Sequence, residues 1–122
     1  MPPKAALRAE LLARRRALPP DEAARLSARI LARVRELPAW AAAAEVLLYA
    51  PVRGEVDVRP LLAELWERGA RVLLPRCRPD APGELDLACC AGPEELTPGA
   101  FGIPEPDPTA CPALPSCRPD LV

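Results

Sequence analysis

The sequence predicts an α/β fold built on parallel strands. Two short apolar runs, EVLLYA (45–50) and ARVLLP (70–75), have the composition and turn boundaries of strands covered on both faces. Between them VRPLLAELWER (58–68) has the spacing of a helix of about three turns. Strand, helix and strand with short joins form a βαβ unit, with parallel strands and a right-handed crossover.

The other elements follow in order. Residues 3–18 read as a helix with Leu7, Leu11 and Leu18 on one face and charges opposite. Pro19-Pro20-Asp21 breaks the chain and starts a second helix, in which Leu26, Ile30, Val34 and Leu37 recur at helical spacing until Pro38. In the third helix Pro60 is tolerated in the first turn and Gly69 falls just past the end. LDLACC (85–90) reads as a third strand. Beyond it periodicity fades, and 11 of the 18 prolines lie in 75–122. The final DLV has the character of another buried strand at its start. We expect one α/β domain over 1–122, incomplete at its C-terminus: N-terminal helices (1–44), the βαβ unit (45–76), and a Pro-rich part with a third strand (77–122).

Composition narrows the chemistry. A chain of 122 residues is enough for one core, and with only Trp40, Tyr49, Trp66 and Phe101 as aromatics that core must rest on Leu, Val and Ile. A net charge of −1 gives no reason to expect a nucleic-acid partner. No apolar run approaches the ~18 residues of a membrane span, and the start lacks the apolar core of a signal peptide. A cytoplasmic protein is expected. The odd count of five cysteines fits a reducing compartment, and no CxxC pair occurs. The chain has no histidine, so zinc is not expected, no metal ligand is assigned, and Ser-His and Cys-His pairs are excluded. What remains for chemistry is Lys, Arg, Asp and Glu, a free thiol, or a bound metal and nucleotide.

Ligands of open α/β sheets sit beyond the carboxyl ends of the strands. LYAPVRGEVD (48–57) lies at such an end, and Pro75-Arg76 is expected on the same edge. Glu55 and Arg76 would then share a crevice. Alternatively, Glu55 and Asp57 only prepare the N-terminus of the next helix, a role that suits Asp57 better. Lys4 and Arg8, four apart, share a face at a helix N-terminus, where cations oppose the dipole unless a polyphosphate binds. A solvated first turn is the plainer reading. Arg14, Arg15 and Arg16 close the same helix and need no functional explanation. Neither GxxxxGK[ST] nor GxGxxG is present. Phe101 could stack on a flat heterocycle or plug the core.

The ordered series KAALR (4–8), LYAPVRGEVD (48–57), VLLPR (72–76), ELTPGAFGIPEP (95–106) and RPDLV (118–122) resembles the 5-formyltetrahydrofolate cyclo-ligase (5,10-methenyltetrahydrofolate synthetase) family. The resemblance implies a three-layer α/β fold with a mostly parallel sheet. It also implies ATP- and Mg2+-dependent cyclisation of 5-formyltetrahydrofolate to 5,10-methenyltetrahydrofolate, in one-carbon folate metabolism. The formyl oxygen would attack the γ-phosphate of ATP, N10 would attack the activated carbon, and phosphate would leave. No protein nucleophile is needed, so no catalytic residue is assigned. Carried over by position, Lys4, Ala5, Ala6, Leu7 and Arg8 would bind ATP, and Ala50 and Glu55 would contact the folate. Arg76 and Phe101 are lesser candidates, for phosphate and for a ring wall. Family members continue past DLV into a glycine-rich segment ending in Tyr-Tyr-Asp, which supplies most of the nucleotide pocket and an acid for magnesium. The chain is therefore expected to be inactive as it stands. The alternative is a non-catalytic α/β module that binds a folate or a partner protein.

Overall fold

A computed structural model describes residues 3–52, 54–99 and 103–122. Helix α1 (Lys4–Arg16) has no buried residue, and Leu7 and Leu11 are 45% and 51% exposed. Its apolar stripe is therefore not part of the core. Helix α2 (Pro20–Arg35) starts at a proline, whose missing N–H costs nothing in a first turn. Its buried residues are Ser27 and Leu31, not Ile30, which is exposed. The buried stripe is rotated by one position because Ser27 faces the loop before the next helix, where its Oγ accepts a hydrogen bond from Asp57 N at 3.1 Å.

A five-residue helix, α3 (Pro38–Ala42), follows and buries Trp40. It is too short for periodicity to reveal. Strand β1 (Glu45–Leu47) is shorter than the apolar run that contains it, because Leu48–Ala50 leave the ladder after one further bond, Leu48 N to Leu73 O at 3.0 Å. Helix α4 (Arg59–Glu67) buries Leu61, Leu62 and Leu65. Gly69, with φ +78°, reverses the chain into β2 (Arg71–Cys77).

β1 and β2 pair in parallel, Val46 opposite Val72, as a βαβ unit requires. β3 (Leu85–Cys90) pairs antiparallel to β2, with Leu74 opposite Ala88. The sheet of named strands, in the order β1-β2-β3, is therefore mixed. The physical reason is the join: residues 78–84 are enough for a hairpin, whereas a parallel return needs a crossover of about a dozen residues or more. Beyond a 3-10 turn (Pro93–Glu95), β4 (Leu96–Pro98) and β5 (Pro104–Pro106) form a separate antiparallel ribbon.

The C-terminal segment is tied to both edges of the main sheet. Ala113 bridges Ala88 of β3, and Leu121 bridges Val46 of β1 in parallel. Between these points the chain crosses the face that carries Leu73, where the thiols of Cys89 and Cys117 lie near Arg71. The Cys89 hydrogen bond, then the Glu45 carboxylate and the Cys89 and Cys117 thiols, raise the pKa of that guanidinium. The opposite face carries Val46, Val72, Leu74 and Ala88. These pack in one cluster with Leu31 of α2, Trp40 of α3, and Leu61, Leu62 and Leu65 of α4. Helices thus cover one face and an irregular segment crosses the other. A helical third layer is not seen among the described residues. No helix among them is long and apolar enough to cross a membrane.

Candidate functional site at the carboxyl edge of the sheet

The chain leaving β1 is shaped by its own hydrogen bonds. Tyr49 Oη donates to Val56 O at 3.0 Å and spans the base of the loop. Inside it Glu55 N donates to Val52 O at 3.0 Å, and Val52 N donates to Glu55 Oε1 at 2.9 Å. Gly54 completes the turn with φ +85°, and a Cβ there would stand 2.9 Å from Arg15 Cδ. Only glycine meets both conditions without adjustment. Asp57 stands one residue before the N-cap of α4, Val58, and prepares the helix from there. Its Oδ1 accepts from Arg59 N at 3.1 Å, and its carboxylate pairs with the Arg59 guanidinium at 2.8 Å.

Two clefts meet at this loop and share Tyr49 and Glu55. One, of about 440 Å3, lies between Arg15 and Leu18 near the end of α1, Leu26 and Ser27 of α2, and Gly54. The other, of about 190 Å3, is lined by Ala50, Glu55, Pro75, Cys77 and Glu105 among others. Burial and the charge of Glu55 push the Tyr49 hydroxyl above its ordinary pKa, while Arg15 opposes them. Glu105 is 8% exposed, and its Oε2 accepts from Cys77 N at 2.8 Å. A hydrogen bond to that carboxylate also raises the Cys77 thiol, with burial adding to it. A Cβ on Gly99 would collide with the Glu105 side chain, so glycine at 99 leaves the acid its place.

The residues singled out in the sequence separate into three places. Ala50 and Glu55 line the smaller cleft together. Arg76 does not join them: its side chain points away from Glu55, and its Nη1 donates to Cys111 O at 2.7 Å and Pro106 O at 3.1 Å. In a pleated strand Pro75 and Arg76 must point to opposite faces, and Pro75 takes the cleft side. Lys4, Ala5, Ala6, Leu7 and Arg8 form the exposed start of α1, whose first turn has no acid and no side-chain cap. Lys4 lies roughly 16 Å, and Arg8 roughly 10 Å, along the helix axis from Arg15. Phe101 falls outside the described residues.

Sequence reasoning did not find Tyr49, Cys77 or Glu105. For Glu105 a signal was present in PEP (104–106), where two prolines fix an extended backbone around one acid.

Of the groups the resemblance implies, a nucleotide polyphosphate fits the start of α1, where Lys4 and Arg8 stand one turn apart and no side chain caps the helix. Magnesium fits less well. Among the described residues the one converging set of three potential ligands is Cys90, Glu95 and Cys111, and two of its donors are thiols, whereas Mg2+ takes oxygen.

The profile of the 5-formyltetrahydrofolate cyclo-ligase family matches residues 1–122. The chain is 31% identical over 109 residues to the 5-formyltetrahydrofolate cyclo-ligases of Escherichia coli K12 and O157:H7, covering 89% of this chain and 60% of each relative. Its fold is similar to an NMR structure of Aquifex aeolicus 5,10-methenyltetrahydrofolate synthetase, with a TM-score of 0.73 and 35% identity over 84% of this chain and 51% of that one. The chain thus spans between half and two thirds of the length of these relatives. With a profile match from end to end, it belongs to the 5-formyltetrahydrofolate cyclo-ligase family.

Proposed function

We propose that this chain forms the folate-binding edge, and part of the nucleotide site, of an ATP- and Mg2+-dependent cyclisation of 5-formyltetrahydrofolate to 5,10-methenyltetrahydrofolate. The observation that carries the reading is the meeting of Ala50 and Glu55 in one cleft at the carboxyl edge of β1 and β2. Ala50 adds little bulk where the backbone lines the cleft, so a flat ring can approach it. Glu55 accepts hydrogen bonds from ring N–H groups with the oxygen not turned to Val52 N. Tyr49 has its hydroxyl proton committed to Val56 O and acts as a wall that holds the loop. Lys4 and Arg8 bind phosphate as point charge and fork. ATP supplies, when bound, the phosphoryl group that makes the formyl oxygen a leaving group. The contribution of the chain is positioning and charge neutralisation, not a nucleophile.

A second reading for this chain taken alone is a module that binds folate at Ala50 and Glu55 without turnover. One experiment separates the two. The 122-residue chain and its Glu55→Ala variant are titrated with 5-formyltetrahydrofolate by calorimetry, then assayed for the methenyl product by absorbance with ATP and Mg2+. We expect folate binding, no turnover, and about 10- to 100-fold weaker binding in Glu55→Ala, the worth of hydrogen bonds to a charged acceptor. Its melting temperature should fall only slightly, since the Val52 N bond that it loses is an exposed one. Equal affinity in the variant would remove Glu55 from the site, and turnover by the chain alone would refute the binding-only reading.

A further inference from the structure

Cys90 and Glu95 stand five residues apart and Cys111 comes sixteen residues later, yet their ligand atoms all lie within 4.8 Å of one another. Both cysteines are 1% exposed. Two buried cysteines alone would be ordinary core residues. What sets this pair apart is the carboxylate turned toward it: Cys111 Sγ donates to Glu95 Oε1 at 3.5 Å, and Ala91 N donates to the same oxygen at 2.6 Å.

Each of the three is also anchored through its backbone. Trp66 Nε1 donates to Cys90 O at 2.7 Å, and Arg76 Nη1 donates to Cys111 O at 2.7 Å. Asp107 links the other two, since Asp107 N donates to Glu95 O at 2.8 Å and Cys111 N donates to Asp107 O at 2.7 Å. Metal sites depend on such outer bonds to orient their ligands. They also give Arg76 a purpose as the clamp on Cys111.

We propose that Cys90, Cys111 and Glu95 form a binding site for one thiophilic divalent cation of the zinc class. Two thiolates and a carboxylate give three corners of a tetrahedron. The Gly92 carbonyl, to which Cys90 Sγ donates at 3.1 Å, is an oxygen at hand for the fourth. With metal–sulfur bonds of about 2.3 Å, tetrahedral donors stand about 3.8 Å apart, so the three atoms need to close by no more than ~1 Å.

Binding exchanges protons for metal. Each thiol loses its proton to solvent and forms a metal–sulfur bond, so two protons leave per ion. Without a cation the thiols are held protonated: burial foremost, then Glu95, pushes Cys111 up to about 12, and burial raises Cys90. A divalent charge in their midst reverses that preference. The site is separate from the folate reading, which uses neither cysteine.

The test uses the reduced, metal-free 122-residue chain titrated with Cd2+, followed by thiolate-to-metal absorbance and by proton release into weak buffer. The expected result is one ion and two protons per chain. The same should hold for a Cys77→Ser/Cys89→Ser/Cys117→Ser variant, which keeps only the proposed pair. Cys90→Ser and Cys111→Ser should each bind at least tenfold more weakly, and Glu95→Gln should weaken binding with both thiolate bands retained. Should the single variants unfold, zinc-edge X-ray absorption of the unaltered chain decides, with two sulfur and at least one oxygen neighbour expected. Unchanged binding in Cys90→Ser and Cys111→Ser, loss of binding in the triple variant, or fewer than two sulfur neighbours would overturn the site. So would a reduced chain that binds no Cd2+ and a Cys90–Cys111 disulfide on oxidation, which would make the pair a redox couple.

Discussion

Gly54 and Asp57, three residues apart, show how differently neighbouring positions in one loop are constrained. Gly54 combines a positive φ with an Arg15 side chain where a Cβ would be. Gly54→Ala should destabilise the protein by about 1–2 kcal/mol, the cost of a left-handed backbone for an L-residue, measured by chemical denaturation. Adding Arg15→Ala should recover only the part due to the contact. Full recovery would place the constraint in the contact and not in φ. Asp57 is held by charge. Its hydrogen bond to the Arg59 side chain, with smaller backbone and charge contributions, depresses its pKa against the opposing effect of burial. A depressed carboxylate stabilises the fold above its unfolded pKa, and that share is lost as pH falls through the lower folded value. Asp57→Asn keeps an acceptor for Arg59 N but loses the ion pair, whose arginine is exposed, so the loss is small. The stability gap between variant and parent should therefore be present at pH 7 and close below about pH 4. A gap that persists in acid would assign it to packing.

At the scale of elements, α1 is the exception. Every other α-helix buries at least one residue among those described, whereas α1 buries none and begins with cations where its dipole favours anions. Lys4→Gln with Arg8→Gln should stabilise the nucleotide-free chain by roughly 0.5–1 kcal/mol, because two charges leave the positive end of the dipole. The same variant should weaken ATP binding at least tenfold and leave folate binding unchanged. Equal losses for both ligands would argue against a nucleotide role. The βαβ unit was legible because α4 buries Leu61, Leu62 and Leu65 at helical spacing and the apolar runs of β1 and β2 bury Val46 and Val72–Leu74 beside it. α3 was not, since five residues are too few to display a period. The sense of β3 depended on the length of the join at 78–84, a constraint available in the sequence.

Across the whole molecule, the C-terminal segment links the two edges of the sheet. Asp120 Oδ2 accepts from Ala44 N at 2.9 Å and Glu45 N at 3.0 Å, capping the start of β1. Leu47 N donates to Leu121 O at 2.9 Å. Asp120→Ala should cost about 1–2 kcal/mol, since two exposed but charge-assisted bonds are lost. Hydrogen exchange at the Leu47 amide should accelerate more than exchange at Leu65, which lies inside α4. Parallel changes at both amides would indicate global destabilisation instead.

Local pattern was enough for α1, α2 and α4, the apolar strands and the loop between β1 and α4, because each is written in period, proline position and turn chemistry within a few residues. Ala50 and Glu55 could be placed at one edge on that basis, since the end of a strand is a local fact. Which side chains would face them was not local. Glu105 reaches the cleft from a ribbon fifty residues away in the chain, and Arg76 leaves it because pleating sends Pro75 there instead. Cys90, Glu95 and Cys111 show the same division: no spacing between them suggests a ligand set, and only the return of the Pro-rich segment along β3 brings their donors together. Long-range neighbours are set by how the core closes, and that is decided in three dimensions.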